Sequence, residues 1–194
     1  MLNNMLNNNE ANTKQRFRDA AEQMLSSEHN RYHLTISPKP GMAIDFLISS
    51  FNHLMKLLNE ALYGKRYRNK NQYIHGMVVL ELSDSYNPHF HLIIRDPHGD
   101  LENRYSLKEA LRWVIPKIKT RRLIGSNSNT KQLIGSNSYH LQEYYCDSDG
   151  DHYILEEYLT KELMQYGTRE KLDNFSTLNI DGAEFGIRDR RNYH

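Results

Sequence analysis

The chain has 194 residues, 38% hydrophobic and 25% charged, with a formal net charge of +1. That length and balance suit one soluble domain with short extensions. No apolar run approaches the roughly eighteen residues of a membrane span, and the Asn-rich start, Met1 to Asn12, lacks the cationic-then-apolar layout of a signal peptide. A single cysteine, Cys146, excludes an intramolecular disulfide and a cysteine-rich zinc site. It reads as a strand residue in an intracellular protein.

Residues 1–12 offer no periodic face and are expected to be disordered. Thr13 to Ser26 has helical spacing, with Phe17, Ala20, Ala21, Met24 and Leu25 on one side. Arg31 to Ser37 reads as a first strand, ended by Pro38 and Pro40. Met42 to Tyr63 reads as a long amphipathic helix through Phe46, Leu47, Phe51, Leu54, Leu57 and Leu58. A basic run with an aromatic inside it follows, Lys65-Arg66-Tyr67-Arg68-Asn69-Lys70. Two short apolar runs, Met77 to Leu82 and Phe90 to Ile94, flank a polar stretch ending in Asn87-Pro88 and predict a β-hairpin.

Ser106 to about Ile115 reads as a second helix, with Leu107, Ala110, Leu111 and Val114 as its core stripe. Pro116 should bend or end it. Lys117, Lys119, Arg121 and Arg122 form a second basic cluster. The run Leu123 to Ser128 recurs as Leu133 to Ser138; two copies are too few for a solenoid and read as a duplicated surface loop. Tyr139 to Cys146 alternates as a fourth strand. Asp147, Asp149 and Asp151 follow in a turn that lacks the Gly and Glu positions of an EF-hand loop. Asp151 then caps a helix whose stripe is Leu155, Leu159, Leu163 and Tyr166. The tail after Gly167 mixes Phe175, Phe185 and Tyr193 with Arg188, Arg190 and Arg191, and the sequence assigns it no element. The order βαββαβα predicts an α+β fold, a ferredoxin-like split βαβ antiparallel sheet with helices on one face.

Chemistry concentrates at two places. Strand side chains alternate, so His89 and His91 point to one face and Phe90, Leu92 and Ile94 to the other. If Glu81 stands opposite His89 or His91, all three share a face. Two imidazoles and a carboxylate suit a divalent cation such as Mn²⁺ or Mg²⁺. In the last helix, Tyr158, Lys161, Glu162 and Gln165 share a face. A phenol with a pKa of about 10 is a poor nucleophile. A neighbouring cation and a metal-polarised phosphate make its attack easier.

Pro88-His89-Phe90-His91-Leu92-Ile93-Ile94 resembles the His-hydrophobic-His motif of the HUH endonucleases. Tyr158-Leu159-Thr160-Lys161 resembles their nucleophile motif, and Arg31 to Pro38 the first-strand motif of rolling-circle replication initiators. The three occur in the family's order. The resemblance implies an endonuclease domain over 13–166, between the segment 1–12 and a C-terminal extension 167–194, with the nucleophile helix over the sheet face opposite the other helices. It implies nicking of single-stranded DNA by Tyr158 through a 5′-phosphotyrosine, assisted by Lys161, with a cation on His89 and His91. Glu81 is the preferred third ligand and Glu162 the alternative; His33 could approach the site from the first strand, with core or surface packing the preferred reading. Tyr153 lies five residues before Tyr158, about 140° around the helix, which departs from the two-tyrosine members. Lys65, Arg66, Arg68, Lys70, Lys117, Lys119, Arg121 and Arg122 are the expected DNA contacts.

The absence of a phosphate-binding Gly-Lys-Ser/Thr loop implies a borrowed host helicase, besides a host polymerase. A replication origin in the cytoplasm of a prokaryotic host, on a small plasmid, phage or mobile element, is the implied setting. A relaxase or transposase of the same superfamily would use the same chemistry. A non-catalytic ferredoxin-like nucleic-acid-binding module would leave His89, His91, Glu81 and Tyr158 unexplained.

Overall fold

Along the first strand Leu34 and Ile36 alternate with His33 and Thr35, and this period of two decides which side of the sheet the helices cover. The computed structural model describes residues 19, 23, 27–40, 42–82, 88–120, 131–132, 134, 138–144 and 175–186. Tyr153, Tyr158, Lys161, Glu162, Arg121, Arg122 and Cys146 lie outside them, as do residues 1–12, the acidic turn and most of the 13–26 helix and the repeat. The strands are β1 (Asn30–Ile36), β2 (His75–Leu82), β3 (Pro88–Arg95), β4 (Lys119–Thr120), β5 (Lys131–Gln132), β6 (Tyr139–Glu143), β7 (Phe175–Asn179) and β8 (Gly182–Ala183). The helices are α1 (Ile44–Tyr63) and α2 (Leu107–Val114), the latter followed by a 3₁₀ turn, Ile115–Lys117.

Six strands form one antiparallel sheet in the order β6-β1-β3-β2-β7-β8, and β4 pairs with β5 separately. β1 and β2, joined through α1, are both antiparallel to β3 and so run parallel with β3 between them. β3 and β6, joined through α2, flank β1 in the same way. The fold is therefore α+β, with β3 in the sheet's interior.

Leu34, Ile36, Val78, Leu80, Phe90, Leu92 and Ile94 form a buried floor. Leu47, Phe51, Leu54 and Leu58 of α1 cover it together with Leu107, Leu111 and Val114 of α2. Both helices thus lie on one face. Phe51 and Phe90 stack at 4.5 Å between ring centroids. Each such side chain contributes about 1.5–3 kcal/mol by leaving water. The other face has a smaller apolar cluster, Met77, Val79 and Ile93, with Tyr144 and Phe175 against it. Among the described residues no helix is long and apolar enough to cross a membrane.

The helix ends follow their sequence. Ser106 makes a capping box with Glu109: the Ser106 hydroxyl accepts from the Glu109 N–H while the Glu109 carboxylate accepts from the Ser106 N–H. Pro116 opens the 3₁₀ turn that ends α2. Gly64, at φ +85°, closes α1 by donating its N–H to Glu60. Two expectations change. The fourth strand of the sequence reading, β6, covers Tyr139–Glu143, with Tyr144 just outside it; the expected continuation to Cys146 lies outside the described residues. The tail supplies an unexpected hairpin, β7–β8, on the outer edge of β2, with Val79 opposite Phe175. Asn52 of α1 clamps this hairpin, its amide accepting from the Ala183 N–H at 2.9 Å and donating to the Ala183 carbonyl at 3.0 Å.

Candidate functional site

The face away from the helices carries the polar side chains. In the β2–β3 register Glu81 stands opposite His89 and Val79 opposite His91. In the β1–β3 register Thr35 stands opposite His91, and across β1–β6 His33 pairs with Gln142 and Thr35 with His140. The parity that buries Leu34, Ile36, Leu80, Phe90 and Leu92 under the helices turns Glu81, His89, His91, Thr35 and His33 to the other side.

These residues touch. His91 Nε2 lies 3.0 Å from Glu81 Oε2. His91 Nδ1 lies 3.3 Å from Thr35 Oγ1, and Thr35 Oγ1 lies 3.5 Å from His33 Nε2. Gln142 Nε2 completes the row at 3.1 Å from His33 Nδ1. The ring of His91 stacks between those of His89 and His33, with centroids 6.1 and 5.8 Å away. The His91 side chain is 7% exposed and that of Glu81 17%. Burial, with the neighbouring His91 and His140, pushes His33 down to about 4 from its ordinary 6.5, so its ring is neutral at neutral pH.

Among the described residues no three His, Cys, Asp or Glu side chains gather their donors around one point. Two of the expected three do meet. Ligand atoms about 2.1 Å from one ion and at right angles are about 3.0 Å apart, which is the spacing of His91 Nε2 and Glu81 Oε2. His89 stands alongside on the same face. The donor set, two imidazoles and a carboxylate from adjacent strands of a sheet, fits a divalent cation in chemistry and in this one separation.

The sequence names neither Thr35 nor Gln142 as a site residue, and for His33 it favours packing over an approach to the site from the first strand. His33 and Thr35 instead share the His91 face. Their alternation with Leu34 and Ile36 was the available signal; the register that brings them to His91 was not in the sequence.

The basic residues fare differently. Lys65, Arg66, Arg68 and Lys70 are exposed on a turn anchored by buried Tyr67. The Arg68 guanidinium lies over the Tyr67 ring and is ion-paired with Asp181. This turn precedes His75, at the end of β2 away from Glu81. At about 3.3 Å per residue, His75 lies roughly 13 Å from Val79, which stands opposite His91, and roughly 20 Å from Glu81, so the cluster does not adjoin the His91–Glu81 pair. Lys117 lies over the exposed Trp113 ring on the helix side, and Lys119 enters β4.

Compared with known proteins, the chain matches no family model, no curated protein and no solved structure.

Proposed function

We propose that the chain is a metal-dependent nickase and strand transferase of single-stranded DNA, of the HUH type, which initiates rolling-circle replication. The observation that carries this reading is the diagonal meeting of Glu81 with His91, beside His89, on the face of the interior strand away from α1 and α2. The strand order β6-β1-β3-β2 supports a ferredoxin-like split βαβ core, in which the motif strand is central. His89, His91 and Glu81 are the residues that would hold a divalent cation, which when bound would supply positive charge to polarise the scissile phosphate.

The chain's own part is nucleophilic. Tyr158 gives up its phenolic proton as Oη forms a bond to phosphorus, the bond from phosphorus to the 3′-oxygen breaks, and that oxygen takes up a proton and leaves as a 3′-hydroxyl. Lys161 stabilises negative charge on the reacting oxygens. The phosphotyrosine preserves the ester, so the step runs in both directions and rejoins strands. The partners are an origin on a small plasmid, phage or mobile element in a prokaryotic cytoplasm, a host polymerase that extends the 3′-hydroxyl and a host helicase.

The test is direct. Purified protein with origin-like single-stranded DNA and Mn²⁺ should yield an adduct that survives denaturation. Intact DNA and no adduct, across DNA from replication, transfer and transposition origins, would overturn the reading.

A further inference from the structure

Tyr105 and Trp113 are the exposed large hydrophobic side chains among the described residues, 48% and 61% exposed, and both line one cavity. The cavity, of about 270 Å³, lies where α1 meets α2. Buried Ala61 and Ala110 form its base, and Tyr105, Glu109 and Trp113 stand around it. Glu109 and Trp113 are one turn apart on α2, whose Leu107, Leu111 and Val114 point into the core instead. Each ring carries a cation. Lys117 Nζ lies 2.8 Å from the centre of the Trp113 ring, and the Arg104 guanidinium 5.6 Å from that of Tyr105. Arg104, Lys108, Arg112 and Lys117 are all exposed, and none is in an ion pair with another described residue. The carboxylates beside them are engaged by the fold: Glu109 accepts from Ser106, and Glu102 from the Tyr32 hydroxyl and the Leu107 N–H.

We propose that this outer face of α2 is a second binding surface, and that it takes single-stranded nucleic acid. The pairing of an exposed ring with a cation occurs twice, at Trp113 with Lys117 and at Tyr105 with Arg104. A single strand repeats the matching unit, a planar base beside a phosphate. Bases stack on the two rings while phosphates meet the cations. Lys108 and Arg112 extend the positive charge along the helix. An acidic peptide matches the cations alone. The surface is separate from the candidate active site, because α2 covers the sheet face opposite Glu81, His89 and His91 and Trp113 looks outward from α2. A base stacked on Trp113 is divided from His91 by the helix layer and the sheet. The proposal does not need the nickase reading; where that reading holds, this surface keeps hold of a stretch of strand other than the one being cut.

Trp113 is the chain's one tryptophan and so its own reporter. Titrating the full-length protein with oligothymidylate in EDTA should quench its fluorescence saturably, and added salt should weaken the effect. The quench should persist in His89→Ala with His91→Ala, and in a variant with Lys65, Arg66 and Lys70 neutralised, because neither set lies on α2. In that second variant, where the basic turn no longer masks other contacts, Trp113→Ala should weaken binding of a labelled strand about tenfold, as for loss of one stacked base. Anisotropy reads this, and Trp113→Phe, which keeps a ring, should weaken binding less. The side chain is exposed, so truncating it leaves the core intact. Absence of the quench overturns the proposal, whether or not anisotropy shows the strand bound elsewhere. So does a quench lost with His89 and His91, or an unchanged affinity in Trp113→Ala. A quench by polyglutamate as strong as that by oligothymidylate also overturns it, in favour of an acidic protein partner. Failure to form a covalent adduct would sink the nickase reading alone and leave this result standing.

Discussion

Glu81 stands across from His89 in the register, yet its carboxylate meets the ring of His91, 3.0 Å away. Diagonal neighbours on one face of an antiparallel pair are within reach of long side chains. Glu81 thus faces one histidine in the register and bonds the other, which gives the first prediction. His89→Ala with His91→Ala should abolish Mn²⁺ binding and DNA cleavage. Glu81→Ala should weaken Mn²⁺ binding more than Glu162→Ala, as read by calorimetric titration. The reverse order would move the third ligand to the helix.

Neutralising Lys65, Arg66 and Lys70 together should weaken single-strand binding and flatten its dependence on salt, because each phosphate contact releases counterions. Arg68→Ala should change the salt slope less than any one of them, since its guanidinium is already engaged by Asp181. An unchanged slope in the triple variant would show that this turn faces away from DNA.

Tyr158→Phe should remove covalent attachment while binding persists, for only the phenolic oxygen is lost. Tyr153→Phe should cleave nearly as the parent does, and Lys161→Ala should slow cleavage yet still form adduct. Peptide mapping of the trapped adduct decides the matter; a nucleotide on any residue but Tyr158 refutes the assignment.

His33 offers a stability test. Burial first, then His91 and His140, hold it at about 4, against an ordinary 6.5. The unfolded chain therefore binds a proton that the folded chain refuses. Stability should be whole above pH 6.5 and fall as the pH drops towards 4, by about 3 kcal/mol from this group. Urea midpoints at pH 7 and pH 4.5 should differ less in His33→Gln than in the parent. An equal difference would place the proton uptake elsewhere.

Asn52→Ala removes both hydrogen bonds that hold Ala183 to α1. It should cost about 1–3 kcal/mol and speed amide exchange at Ala183 and Glu184, leaving β3 protected. Uniform acceleration throughout the sheet would mean that the hairpin and sheet open as one unit.

The hairpin of β2 and β3 was legible because two apolar alternations flank a turn, and α1 because its stripe runs for five turns. Parity alone gave the shared face of His89 and His91. Pairing partners were not legible: Glu81 against His89, and Thr35 against His91, follow from register, which the whole sheet decides. The β7–β8 hairpin escaped because Phe175 to Asn179 is short and its alternation mixed. The Asp181-Gly182 dipeptide was its one turn signal.

That hairpin has a consequence for the order in which the molecule is completed. The strand bearing Glu81 gains its outer neighbour only when Phe175, Ser176 and Thr177 arrive to pair with Val79, Val78 and Met77. During synthesis the earlier residues reach the folding compartment first. Until then β2 is an open edge, with backbone groups available to any passing strand. A ribosome-bound chain stopped before Phe175 should accordingly be prone to self-association, and its Glu81 strand should settle only after the final hairpin emerges.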